Sequence, residues 1–122
     1  MNTDSNESLL DHAALENLRA LRMEGEPDPF AELVQLFIND TPTRIEQIQT
    51  AIKSSSGPDL KAAAHSLKGS ASNLGAHTIA TTCARIMQHA RTNEFAAATD
   101  LLKSIESDFA KVKVALLEEV RR

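Results

Sequence analysis

Three side chains in the stretch AAAHSLKGSASNLGA, residues 62–76, could do chemistry together: His65, Lys68 and Gly69. A neutral imidazole nitrogen is a good nucleophile near neutral pH, since its unperturbed pKa is ~6.5. A lysine ammonium can hold and neutralise phosphoryl oxygens. A glycine within a helix costs ~0.5–1 kcal/mol relative to alanine. Its use here is absence: without a side chain it lets another protein approach the histidine.

The surrounding spacing decides where these groups point. On a wheel of about 100° per residue, Leu60, Ala64, Leu67, Ala71 and Leu74 gather into one apolar stripe. His65 falls well away from that stripe, with Lys61, Lys68, Gly69 and Ser72 around it. Lys68 and Gly69, three and four positions on, are its surface neighbours on a helix. The residues alone describe a phosphoryl or anion site on a helix face. They are equally compatible with a solvated histidine and lysine on a loosely specified helix.

Five helical segments, approximately 8–23, 29–54, 58–74, 77–91 and 94–121, are expected from the apolar periodicity and its punctuation. Ser8 and Asp11 form a capping box before Leu10, Ala14, Leu18 and Leu21, and Gly25 and Pro27 stop that helix. Asp28-Pro29 starts the second, whose stripe keeps its phase from Phe30 to Ile52 across Pro42, predicting one long kinked helix. SSSGPD is the next loop, with Ser56 and Asp59 as caps and Pro58 in the first turn. Gly75 ends the third helix, and Ile79, Cys83, Ile86 and Ala90 mark one face of the fourth. Asn93 is read as the cap of the fifth, whose Ala98, Leu102, Ile105, Phe109, Val112 and Leu116 have the seam spacing of packed helices. The expected fold is all-α: an antiparallel four-helix bundle with an additional short N-terminal helix packed on it, forming a single domain over 1–122.

Whole-chain properties narrow the function. The 122 residues carry a net charge of −4, which gives no general attraction to nucleic acid or anionic membrane. No apolar run approaches the ~20 residues of a membrane helix, and MNTDSNES has no secretory-signal character. With one cysteine, no internal disulfide framework exists, which fits a reducing compartment. A cytoplasmic monomer is expected, and the polar start at Met1 favours a stand-alone protein over a domain cut from a larger kinase.

The other candidates read as structural. His12, His77 and His89 have no setting like that of His65. No Glu or Asp stands three residues before any histidine, as bundle metal sites require, and Cys83 has no zinc-ligand spacing. Cys83 falls on the buried stripe as a small core residue. There is no Gly-rich phosphate loop, so a phosphoryl group would have to come from another protein. Leu33, Val34, Phe37 and Ile38 are first of all core, with some of that surface near His65 available as a small, partly apolar docking patch with a basic fringe.

HSLKGSASNLGA followed by IATTCARI resembles the histidine-containing phosphotransfer (HPt) domain family. The diagnostic motif is confined to the middle third of the chain, and the flanking helices match in number and order. The resemblance implies that His65 accepts a phosphoryl group, on Nε2, from the phospho-aspartate of a receiver domain and passes it to a second receiver. Lys68 would stabilise the phosphoryl charge, while Gly69, with Ser72 and Lys61 around it, would leave room for docking. Response-regulator receivers and a hybrid sensor kinase are the implied partners. Magnesium would sit on the receiver, and the chain itself would need no cofactor or metal and have no kinase activity. The family often carries Gln or Glu at position 87, where it orients the imidazole. Met87 stands there instead, with Gln88 beside it, and a thioether is a poor acceptor. Arg91 matches a basic position of some members. Besides the phosphocarrier, a non-phosphorylated adaptor that docks receivers or kinases and a purely structural bundle fit the same residues.

Overall fold

Residues 9–122 are described in the structure, a computed structural model. Five helices follow in order: α1 (His12–Arg19), α2 (Pro29–Lys53), α3 (Gly57–Asn73), α4 (His77–Arg91) and α5 (Phe95–Arg121). Helix α2 packs on α3, α3 on α4, α4 on α5, and α5 back on α2, which closes a four-helix ring; α1 lies against α2. Short connections make sequential neighbours antiparallel. The expected stripes line the core: Leu60, Ala64, Leu67, Ala71 and Leu74 of the α3 segment are buried, as are Ile79, Cys83, Ile86 and Ala90 of α4. Phe109 is only half-buried and closes the α2–α5 seam by an edge-to-face contact with Phe37, 5.8 Å between centroids.

The three turns joining the four bundle helices share one solution. Each preceding helix ends on a residue in the left-handed region: Ser55 (φ 53°), Gly75 (φ 71°) and Asn93 (φ 58°). The next amide in each case donates to a carbonyl five residues back, Ser56 to Ala51, Ala76 to Ala71 and Glu94 to His89, all at 2.9 Å. This is the Schellman closure, which satisfies helix-end carbonyls that would otherwise lack donors. Asn93 therefore does not cap α5. Its left-handed backbone ends α4, and Glu94 occupies the cap position, its carboxylate accepting from the Thr92 hydroxyl and approaching Nδ1 of His89 at 3.1 Å. Ser56 does cap α3, accepting from the amide of Asp59 at 3.2 Å.

Helix α2 runs unbroken past Pro42. A proline here removes one backbone donor and crowds the preceding turn. The adjacent Thr41 is buried, and its hydroxyl donates to the Phe37 carbonyl at 2.6 Å, placing a hydrogen bond where the ladder is weakened.

The first helix is shorter than its apolar pattern suggests. Ser8 lies outside the described residues, and Asp11 is the N-cap, accepting from the amides of Ala13 at 3.0 Å and Ala14 at 3.3 Å. Leu10 and Leu15 are the buried anchors, whereas Leu21 lies beyond the helix end and is 60 % exposed. Spacing placed Leu21 on the stripe. The helix stops at Arg19, whose side chain pairs with Glu119 of α5 at 2.5 Å and lies over the face of Phe30, 5.0 Å from its centroid.

Candidate functional site

His65 stands exposed on α3, and no described residue hydrogen-bonds to its ring. The buried stripe of α3 sits on the opposite side, so packing fixes the backbone of His65 while its imidazole remains open to a large partner. Lys61, Gly69 and Ser72 are likewise exposed on this helix, as the wheel predicts. Lys68 is half-buried, and its charge acts on the Cys83 thiol of α4. Burial dominates that thiol and pushes its pKa up to about 12, with Lys68 pulling the other way. A thiol so held is inert, as its place in the core implies.

Arg91, at the end of α4, is exposed. Met87 is partly buried and packed against the core. Its thioether supplies apolar packing, and no hydrogen bond joins it to the imidazole of His65.

Gly69 has ordinary helical backbone, and a Cβ built on it would meet nothing within 4 Å. Nothing in the packing of the described residues requires glycine there. The space it leaves faces outward, one turn from His65.

Charge is distributed unevenly around this face. Residues 57–91 carry Lys61, Lys68, Arg85 and Arg91 against the single acid Asp59, a net +3 in a chain of net −4. An anion or an acidic protein surface is therefore drawn to the α3–α4 side specifically.

Two of the remaining histidines are engaged elsewhere. Nε2 of His77 lies 2.9 Å from the carboxylate of Asp11, and His89 pairs with Glu94. The His77 contact, with helix-start amides, holds the Asp11 carboxyl below its usual range. At the far end of α1, burial would raise the pKa of Glu119, but the hydrogen bond and charge of Arg19 outweigh it and the shift is downward. No group of three or more potential metal ligands is found among the described residues.

The sequence offered an apolar patch on α2 at Leu33, Val34, Phe37 and Ile38 but left out Leu36. Val34, Phe37 and Ile38 are core and Leu33 is half-buried, but Leu36 is 63 % exposed. It borders a cavity of about 240 Å³ between α2 and α3, and a second cavity of about 400 Å³ follows along the same seam. The signal was present in Leu33, Leu36 and Phe37, an apolar arc wider than the core side of α2 needs.

Comparison with known proteins bears on this arrangement. The family model for the Hpt domain matches residues 32–121. The chain is 31 % identical to histidine-containing phosphotransfer protein B of Pseudomonas aeruginosa PAO1, whose crystal structure superposes with a TM-score of 0.83, covering 93 % of this chain and 96 % of that one. A histidine-containing phosphotransfer protein of rice shares the fold at a TM-score of 0.81 and 23 % identity, over 94 % of this chain and 83 % of that one. Histidine-containing phosphotransfer proteins 2 and 5 of Arabidopsis thaliana are 26 % and 28 % identical over 102 residues, each match covering 81 % of this chain. The chain spans 65 % of the length of these two relatives. No described helix is long and apolar enough to cross a membrane.

Proposed function

Since the chain belongs to the Hpt domain family, we propose that it is a phosphocarrier in which His65 takes a phosphoryl group from a receiver-domain aspartate and hands it to a second receiver. The Nε2 lone pair forms the P–N bond as the acyl phosphate P–O bond breaks, leaving the aspartate as a carboxylate. Transfer onward reverses these steps at another aspartate. Lys68, one turn from His65, neutralises phosphoryl oxygens in both directions. Lys61 and Arg91 extend the positive fringe, and Gly69 and Ser72 keep the docking face low. Magnesium belongs to the receiver, so the carrier works without a cofactor, as a cytoplasmic monomer with no kinase activity of its own.

One observation carries the reading. An exposed histidine with no hydrogen-bond partner among the described residues stands a turn from a glycine that the packing of those residues does not require. A helix interior loses stability by carrying that glycine, and an approaching partner gives the position a use.

The test is incubation of the purified chain, wild type and His65→Gln, with phosphorylated receiver domains from the same genome. Acid-labile, base-stable label on the wild type alone is expected. Equal label on both would move the acceptor elsewhere. Receiver binding by both without any label would favour the non-phosphorylated adaptor.

A further inference from the structure

Two leucines and two polar clamps hold α1 on the bundle. Of residues 9–28, only Leu10 and Leu15 are buried. At the start of the helix the Asp11 amide donates to the Gly75 carbonyl at 2.8 Å, and the Asp11 carboxylate lies 2.9 Å from Nε2 of His77. At its end one Arg19 nitrogen donates to the Glu119 carboxylate at 2.5 Å and to the Glu119 carbonyl at 2.9 Å. The same guanidinium lies over the ring of Phe30, so Arg19 ties α1 to α5 and α2 at one point.

The rest of the molecule closes its core without α1, because α2, α3, α4 and α5 pack in a ring. A free helix of eight residues is too short to persist in water. Once off its bed, α1 therefore melts. The linker after it offers no further hold. Leu21 and Met23 are exposed, a Cβ on Gly25 would meet nothing within 4 Å, and the amides of Leu21, Arg22 and Glu26 bond to carbonyls within the same segment. A segment with so little buried surface belongs to the low-stability end of a structure.

Glu119 is the titratable half of the Arg19 clamp. Its side chain is 7 % exposed, yet a cavity of about 330 Å³ opens beside it, a path for protons that leaves the ring folded. The charged groups around that cavity are His12, Glu16 and Arg19 of α1 and Arg122 of α5; among the described residues, no charged group of α2, α3 or α4 lines it. Arg122 stands 3.4 Å from the carboxylate, and Glu16 takes the other Arg19 nitrogen at 2.6 Å. A proton on Glu119 removes the charge that holds a largely buried guanidinium in place.

We propose that α1 is a strap that opens and recloses over the end of the bundle as one unit while the four-helix ring stays folded, with Arg19–Glu119 as its pin. Proton uptake by Glu119 draws the pin. The strap stands apart from the phosphocarrier role, since its clamp at Gly75 is ten residues from His65, roughly 15 Å at helical rise.

The test is amide hydrogen exchange of the full chain by NMR, with rates expressed as protection so that the intrinsic effect of pH drops out. In the wild type the α1 amides should exchange together, at least about tenfold less protected than those of α3 and α4. Glu119→Gln and Arg19→Gln should each lower α1 protection by about fivefold to thirtyfold. Ile105→Val, in the ring and far from the strap, should lower protection in α3 and α4 by about twofold to tenfold and leave α1 unchanged. Lowering the pH from about 5 to about 3.5 should open α1 further in the wild type than in Glu119→Gln, where Asp11 is the clamp carboxylate left to titrate. Equal protection of α1 and the ring in the wild type, or an Ile105→Val effect shared by α1, would mean that α1 leaves only on global unfolding and would overturn the strap. Unchanged α1 protection in Glu119→Gln and Arg19→Gln, or an equal pH response with and without Glu119, would overturn the pin.

Discussion

Gly69 and Gly75 lie six residues apart along the same segment and do opposite work. At Gly75 the backbone is left-handed, and a Cβ would come within 2.9 Å of the Asp11 carbonyl oxygen. The Asp11 amide donates to the Gly75 carbonyl at 2.8 Å, and His77 holds the Asp11 carboxylate from the other side. Here the chain itself fills the space. At Gly69 the backbone is helical and the space is empty. One glycine is explained by the fold and the other by what the fold leaves open.

The other left-handed turns sharpen the contrast. Ser55 and Asn93 take the same conformation with side chains present. Left-handed backbone alone therefore does not demand glycine in this bundle. Gly75 is singled out by the close approach of α1, which is clamped there and again at Arg19–Glu119.

The largest effect is expected from attacking the closed site. Gly75→Ala combines backbone strain with a steric clash and should destabilise by about 2–4 kcal/mol. Urea unfolding should report this loss, while the phosphotransfer rate of the folded fraction stays near wild type. A slowed rate at full folding would tie Gly75 to the transfer face and erase the distinction.

A smaller loss should follow at the other end of α1. Glu119→Gln keeps the shape of a nearly buried side chain but removes its charge from Arg19. A loss of about 1–2 kcal/mol is expected at neutral pH, between the values for exposed and buried pairs. The Glu119 carboxyl titrates below its ordinary value in the folded chain. Its contribution is thus complete above pH ~4.3 and disappears as pH falls through the lowered value. The gap between wild type and variant should be flat from neutrality to about pH 5 and close below it. Asp11 and Glu94, shifted in the same direction, leave a residual acid limb in the variant. A gap that widens on acidification would contradict the sign.

Much of this was legible in the sequence. The outward placement of His65 follows from Leu60, Ala64, Leu67, Ala71 and Leu74, because a four-residue apolar rhythm fixes one face and so defines its opposite. Helix α4 was bounded correctly by Gly75 before it and Asn93 after it. The role of Asn93 was not, since the same residue type serves as an N-cap or as a left-handed stop, and only backbone geometry separates them. Helix α1 was overextended because Leu21 continues the apolar spacing, and spacing does not reveal that it finds no packing partner. Leu36 was missed for a related reason: an apolar arc does not reveal which part of it finds a neighbour.

The most direct test of the central claim is the initial rate of phosphoryl transfer from a receiver to Gly69→Glu, read beside Gly69→Ala. Alanine restores helix propensity and should stabilise the chain by ~0.5–1 kcal/mol with transfer largely retained. Glutamate adds bulk and negative charge to the open face. The account predicts at least a roughly tenfold slower rate, equivalent to ~1.4 kcal/mol in the barrier, with unfolding no easier than in the wild type. Transfer at the wild-type rate by a folded Gly69→Glu chain would contradict the claim that this glycine is there for a partner.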